Sequence, residues 1–485
     1  MRSPAALSLR SLAVLYLASA ISGGVFADTI YLKSGRKITA THVVQENGQV
    51  SYDTSAGRFS FPLSIVDHVA HDDSSPVSNA GTASDRAANL PIAPPNALVA
   101  PSDAAASAAV RDGSINNDVL SKLESEAYAN PSPTAVARVI AAESAAAQFE
   151  ISVGDFQRAV DHYDVGLRFD HDNVGLLLES AYLHLRRSEY TAAADLLDHA
   201  RRIDADSAEV AKLSGWAYYG LNRASDAVTQ WKRAMELKPD EETQHALEKA
   251  ERDAREEAEY HEGETSHFRL KYNGGAAPEL AAAVLKTLES EFDEISGTLN
   301  YVPPEPIGVI LYTNQAFMDI TRAPSWSGAL NDGRIRVPVE GLSSMTNELA
   351  RVLKHELTHS FVSQKTGGRC PVWLQEGIAQ YMEGKRSRVN AGVLSAQFEK
   401  HMEISLLSYE TSWLTLPRDA ASNAYAWSLA VVESIMTENG VDDLERILER
   451  ISAGSSTEDA IRAVLREDYS ELMLSTAQYL RKAYF

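Results

Sequence analysis

Alanine recurs at positions 159, 193 and 227, and a large apolar residue recurs at 169, 203 and 237 as Phe, Ile and Leu; both series step by 34. A fixed period of this length marks one supersecondary unit copied along the chain, and no copy can bury its apolar face alone. Stacking is then obligatory. It predicts a helical array with a concave surface suited to proteins or peptides.

The third copy, from about residue 207 to 240, carries Gly215, Tyr218, Ala227, Trp231, Ala234 and Pro239. On those offsets the chain resembles the tetratricopeptide (TPR) family over about residues 140–245, where small residues let paired helices pack closely. The first two copies depart from the pattern: Ala147 and Ala181 stand in place of the glycine, and Glu150 and His184 in place of the tyrosine. The sequence EETQHALEKAERDAREEAEYHEGE continues as a strongly charged helix, expected to act as a spacer into the last domain.

A chain of 485 residues exceeds one core and implies two to four domains. Arg2 and Arg10 flank the start, an apolar run spans about residues 12–21, and Val25 and Ala27 precede Asp28. Residues 1–27 therefore read as a signal peptide cleaved after about Ala27, with an uncleaved anchor as the alternative. Residues 28–70 alternate apolar and polar positions between turn signals at Ser34-Gly35, Asn47-Gly48 and Ala56-Gly57. They resemble the small SH3-like barrels that open some exported bacterial proteins. Residues 71–116, rich in Ala, Ser, Pro, Asn and Asp, are expected to be a disordered linker. A helical region follows over 117–260, and 262–485 places strands before helices, an α+β pattern.

The formal charge of −22 and the lack of a dense Lys/Arg run argue against a nucleic-acid or anionic-membrane surface. After the first segment, no stretch approaches the roughly 18 apolar residues of a membrane span. The single cysteine, Cys370, excludes an intramolecular disulfide, so cores must carry the stability.

Chemistry concentrates in VLKHELTHSFVSQKTGGRCPVWLQEGIAQYMEG, residues 352–384. His355 and His359, four apart on a helix, place both rings where they can reach one ion. Glu356 lies beside that ion and suits a general base acting on an activated water. The helix is apolar-periodic through Leu349, Val352, Leu353, Leu357 and Phe361, and it stops at Thr366-Gly367-Gly368. A second helix after Pro371 presents Glu376, with sixteen residues between it and His359. Two histidines and a carboxylate leave a fourth position open for water, the catalytic arrangement for Zn2+.

HExxH followed by a WLxEGxAxY-like helix resembles the gluzincin metallopeptidases, in particular the peptidase MA-like domains often joined to tetratricopeptide repeats in bacterial proteins. The resemblance covers most of residues 265–485. It implies a zincin-like α+β fold, His355, His359 and Glu376 as zinc ligands, and Glu356 as base and proton shuttle for a zinc-bound water attacking a peptide carbonyl. It also implies an edge strand that pairs with substrate, for which residues 328–339, GALNDGRIRVPV, are the candidate. Tyr425 stands where related sequences carry a tyrosine near a helix start. It is either a donor to the oxyanion or a packed aromatic. Gln380 is either a partner of the ligand shell or a solvated helix position. Cys370 reads as a small buried residue.

His162, His171 and His184 fall in the repeats, and His42, His68 and His71 in or near the β domain; none shows metal-like spacing. Motifs for serine hydrolases, dinucleotides and P-loops do not occur. The expectation is an exported, periplasmic zinc metallopeptidase acting on proteins or peptides, with repeats that recruit a substrate or partner. One alternative is an envelope scaffold with a structural or silent zinc domain. Another is a zinc hydrolase acting on something other than a peptide.

Overall fold

The computed structural model describes strands between residues 28 and 70 and nearly all of residues 104–485; residues 1–27, 71–103, 322–329 and some short turns lie outside the described set. The signal-peptide reading and most of the linker reading fall on those residues. The chain divides into two compact units, Met1–Val77 and Ser78–Phe485.

In the first unit β1 (Asp28–Leu32), β2 (Lys37–Glu46), β3 (Gln49–Thr54), β4 (Gly57–Pro62) and β5 (Val66–Ala70) form one antiparallel sheet in the order β4-β3-β2-β1-β5. Glu46 pairs with Gln49 and Thr54 with Gly57, so two-residue connections set both hairpin registers. Among the described residues β4 and β5 remain edges, and no pairing closes the sheet into a barrel.

The second unit begins with α1 (Ala104–Ala109) and the short hairpin β6 (Val110–Arg111) and β7 (Ser114–Ile115). The expected linker therefore ends earlier than residue 116. Ala105 and Ala109 are buried against Leu120, Val139 and Ala142. Small side chains that read as linker composition here allow close helix contact.

Next come α2 (Asn117–Ala129), α3 (Pro133–Val153), α4 (Phe156–Phe169), α5 (Val174–Arg186), α6 (Tyr190–Ile203), α7 (Ala208–Gly220), α8 (Ala224–Leu237) and α9 (Glu241–Glu256). From α3 to α8 they stack as three helical hairpins, a TPR-like array. The glycine of the third copy has a steric cause: a Cβ on Gly215 would lie 2.3 Å from Trp231 Nε1. At the matching positions the earlier copies carry Tyr163 and Leu197, smaller than tryptophan, opposite Ala147 and Ala181. Helix α9 is not a spacer. It buries Ala246, Leu247 and Ala250 in the array and Asp253 besides.

A second five-stranded sheet follows, with β8 (His261–Glu264), β9 (Phe268–Tyr272), α10 (Pro278–Leu299), β10 (Ile307–Tyr312), α11 (Asn314–Thr321), β11 (Leu330–Asn331) and β12 (Ile335–Pro338). Its order is β11-β12-β10-β9-β8. Strands β9, β10 and β12 are parallel, and the two edges, β8 and β11, are antiparallel. Alternation sends Phe268, Leu270, Val309, Leu311, Ile335 and Val337 into the main core. The remaining elements are helical: α12 (Asn347–Lys365), α13 (Val372–Met382), α14 (Ala391–Glu399), α15 (Arg418–Glu438), α16 (Val441–Ser452), α17 (Thr457–Leu465) and α18 (Tyr469–Tyr484).

The array docks on this domain by one edge. Its three within-hairpin turns place Gly154, Ser188 and Asn222, 34 apart, at φ of 86°, 61° and 61°. Beside the first, Arg369 lies over the Phe156 ring at 4.5 Å. Beside the second, Thr191 N and Oγ1 donate to the Glu305 carboxylate at 2.9 and 3.0 Å. At the third, Asn222 Oδ1 accepts from Arg334 Nη1 at 2.9 Å.

Arg334 and Arg336 are 1% and 0% exposed on the sheet face opposite the core. Asp253 accepts from both guanidiniums, with Arg336 at 3.0 and 2.9 Å. Glu257, in the 3-10 turn after α9, accepts from Arg334 Nη1 at 3.2 Å. The Tyr219 hydroxyl accepts from both arginines at 3.0 Å and donates to Asp253 at 2.6 Å. Burial opposes the Asp253 charge, but Arg336 and Arg334 outweigh it and hold its carboxyl below the usual range.

Candidate metal centre

Helix α12 starts where Thr346 Oγ1 accepts from Leu349 N at 3.1 Å. Leu349, Leu353, Leu357 and Phe361 anchor it in the core. It ends at Thr366, and Gly367 and Gly368 follow at φ of 57° and 75°, conformations that favour glycine. Helix α13 then returns, fixed by Trp373, Leu374 and Ile378. A Cβ on Gly377 would lie 2.4 Å from the Ser428 carbonyl oxygen, so α13 and α15 meet at near backbone contact just beside Glu376.

These two helices bring together His355, His359 and Glu376, all three residues that the sequence placed in one ligand set. The Nε2 atoms of the two rings are 3.1 Å apart. Glu376 Oε2 is 3.4 Å from His355 Nε2, and Oε1 is 3.5 Å from His359 Nε2. Donors held tetrahedrally about 2.0–2.1 Å from zinc stand roughly 3.3–3.4 Å from one another. The observed separations fit that geometry.

The chemistry of the set fits as well. Two imidazole nitrogens face each other beside a buried carboxylate, and only one proton can lie between them. Among the described residues, His359 Nδ1 and Glu376 Oε2 are buried without a hydrogen-bond partner. Burial would raise the Glu376 pKa, but the His359 and His355 rings hold it well below the carboxylate range. Burial would lower the His355 pKa, whereas its contacts with Glu376 and Glu383 push it up to about 10.

Glu356 is buried on α12 next to His355. Tyr425 lies on α15. Its ring packs edge-on against Trp413 at 4.9 Å, and burial, with the charges of Glu376 and Glu356, pushes its hydroxyl pKa well above the ordinary value. Gln380 is no solvated position: it is buried, and its Nε2 donates to Glu376 O at 3.2 Å and Tyr425 O at 3.0 Å, tying α13 to α15. Cys370 is buried outside the donor cluster. In the array His162 contacts Glu143 at 2.7 Å, His184 contacts Glu189 at 2.6 Å and His171 contacts Asp172 at 3.3 Å. The side chains of His42, His68 and His71 lie outside the described set.

Two residues escaped the sequence reading. Glu383 Oε1 lies 3.3 Å from His355 Nδ1 and 2.7 Å from Lys385 Nζ. It is seven positions after Glu376, two turns along the same helix face, and that spacing could have revealed it. Asn331 on β11 donates from Nδ2 to Glu356 O at 2.7 Å and to Ser360 Oγ at 2.6 Å. This places the candidate edge strand against the HExxH helix; residues 328 and 329 of that segment lie outside the described set.

Residues 296–480 match the model of the Peptidase MA superfamily. No curated protein matches the chain. Among solved structures, the NMR structure of the second TPR domain of human RPAP3 in complex with the HSP70 peptide SGPTIEEVD is 21% identical, covers 22% of this chain and 92% of that chain, and has a TM-score of 0.22. A likeness of that size carries no argument about the fold.

Proposed function

We propose that the C-terminal domain, a member of the Peptidase MA superfamily over residues 296–480, is a zinc-dependent peptidase. The convergence of His355, His359 and Glu376 at tetrahedral donor spacing carries this reading. These three residues would hold the ion, and Glu383 would orient His355 from behind. When bound, zinc lowers the pKa of water towards about 7 and polarises a carbonyl as a Lewis acid.

The chain supplies the rest. Glu356 takes a proton from the attacking water and returns it to the departing amine nitrogen, so that the new C–O bond replaces the C–N bond. The Tyr425 hydroxyl donates to the oxygen that becomes negative. An extended peptide adds to β11, the sheet edge next to Glu356, by backbone pairing that gives affinity with little sequence preference. The array adds a surface for protein partners. Export to a periplasm belongs to this reading through residues 1–27, and so does closure of the N-terminal sheet into an SH3-like barrel. Among the described residues no helix is long and apolar enough to cross a membrane.

The test is metal content and turnover of the purified chain. Wild type should carry one zinc and hydrolyse unfolded casein; Glu356→Gln should keep the zinc and lose about 10²–10⁴-fold in rate. A wild type without stoichiometric zinc, or a Glu356→Gln variant that still turns over, would sink the proposal.

A further inference from the structure

We infer that the third repeat positions the substrate strand, holding the β11–β12 hairpin in place against the metal centre through Tyr219 and Asn222. The use of that strand by substrate rests on the peptidase reading; the mechanical link does not.

The hairpin is fastened at both strands. On β12 and just before it, Arg336 and Arg334 enter the buried cluster whose array side is Tyr219, Asn222 and Asp253. On β11, Asn331 is bound to the helix at Glu356 O and Ser360 Oγ. Between the two fastenings Gly333 takes φ 97°, and its N–H donates to Asn331 Oδ1 at 3.1 Å. A shift of the array turn against the sheet therefore moves β12, and with it the edge strand beside Glu356.

The sheet is built to receive that turn. Gly308 sits in the middle strand beneath it, and a Cβ there would lie 3.3 Å from both Arg334 Cγ and Asn222 Cγ. Asn222 suits the position twice over: it tolerates φ 61°, and its side-chain oxygen reaches Arg334. Without the array, the two guanidiniums would lose Tyr219, Asn222 and the Asp253 carboxylate that accepts from both. Residues 296–480 are thus an incomplete functional unit, and the repeats belong to the machinery that shapes the substrate site.

The full chain tests this. Asn222→Gly removes the acceptor without straining the turn, Asn222→Asp restores an acceptor oxygen, and Tyr219→Phe removes the hydroxyl shared by both arginines. Amide hydrogen exchange should accelerate about tenfold or more over residues 330–337 in Asn222→Gly and Tyr219→Phe, with residues 355–359 still protected and zinc retained. On a quenched-fluorescent peptide library, KM should rise about tenfold with kcat unchanged, and Asn222→Asp should return KM towards wild type. Unchanged exchange over 330–337 in both variants overturns the inference. So does loosening spread evenly through residues 355–359 with loss of zinc, which marks general unfolding. If wild type hydrolyses nothing, the peptidase reading fails, and the exchange measurement still decides whether the array holds the hairpin.

Discussion

Two of the buried polar clusters in the second unit differ in what completes them. In the Arg334–Arg336 cluster, two guanidiniums meet Asp253 and Glu257, with Tyr219 and Tyr312 bridging and Lys271 beside Glu257, so opposite charges face one another within the chain. In the His355–His359–Glu376 cluster, like ring nitrogens face each other and, among the described residues, His359 Nδ1 and Glu376 Oε2 lack a hydrogen-bond partner. Buried polar groups satisfied by one another act as a lock, and donors that converge without satisfying one another act as a site. The contrast separates structure from chemistry more sharply than burial does, since both clusters are almost fully enclosed.

The largest expected effect tests the lock. Asp253→Ala should cost about 3–5 kcal/mol of unfolding free energy in denaturant titration, because it removes the buried carboxylate that accepts from both guanidiniums. A loss below about 1 kcal/mol, the scale of an exposed ion pair, would remove the distinction. The pH dependence has a definite sign. The Asp253 carboxyl is held below its ordinary value, so its contribution is complete above the unfolded pKa of about 3.9 and disappears as pH falls through the lower folded value. Stability should therefore drop in acid below about pH 4, and Asp253→Asn should flatten that drop.

The next effect sharpens the site. Tyr425→Phe keeps the packing against Trp413 and deletes only the hydroxyl. A loss of about 10²–10³ in kcat with zinc retained assigns it to the oxyanion; an unchanged kcat leaves it a packed ring. The smallest expected effect concerns the support behind a ligand. Glu383→Gln should weaken zinc about 10–100-fold in chelator competition, with the fold unaltered. Unchanged zinc affinity would reduce Glu383 to a partner of Lys385.

Sequence alone reached the ligand set because its signal is local. His355 and His359 share a face through the helix period, and Glu376 follows on the next helix after one turn. The repeats were legible for the same reason, as a period repeated along one stretch of chain. Composition misled where a small or charged residue had a packing role: the alanines of α1 pack instead of linking, and Asp253 on the charged α9 anchors a buried cluster.

The sequence by itself determined which residues make up the candidate metal cluster, where the repeats lie, and that strands precede helices in the last domain. Only the tertiary structure decided that the array docks by its turns, that Gln380 and Glu383 support the site, and that Asn331 pins the edge strand. The reason is distance along the chain. Asn222 and Arg334 are 112 positions apart, and Arg336 and Asp253 are 83 apart. No periodicity encodes such pairs; each becomes visible only when two surfaces distant in sequence bury their charges against one another.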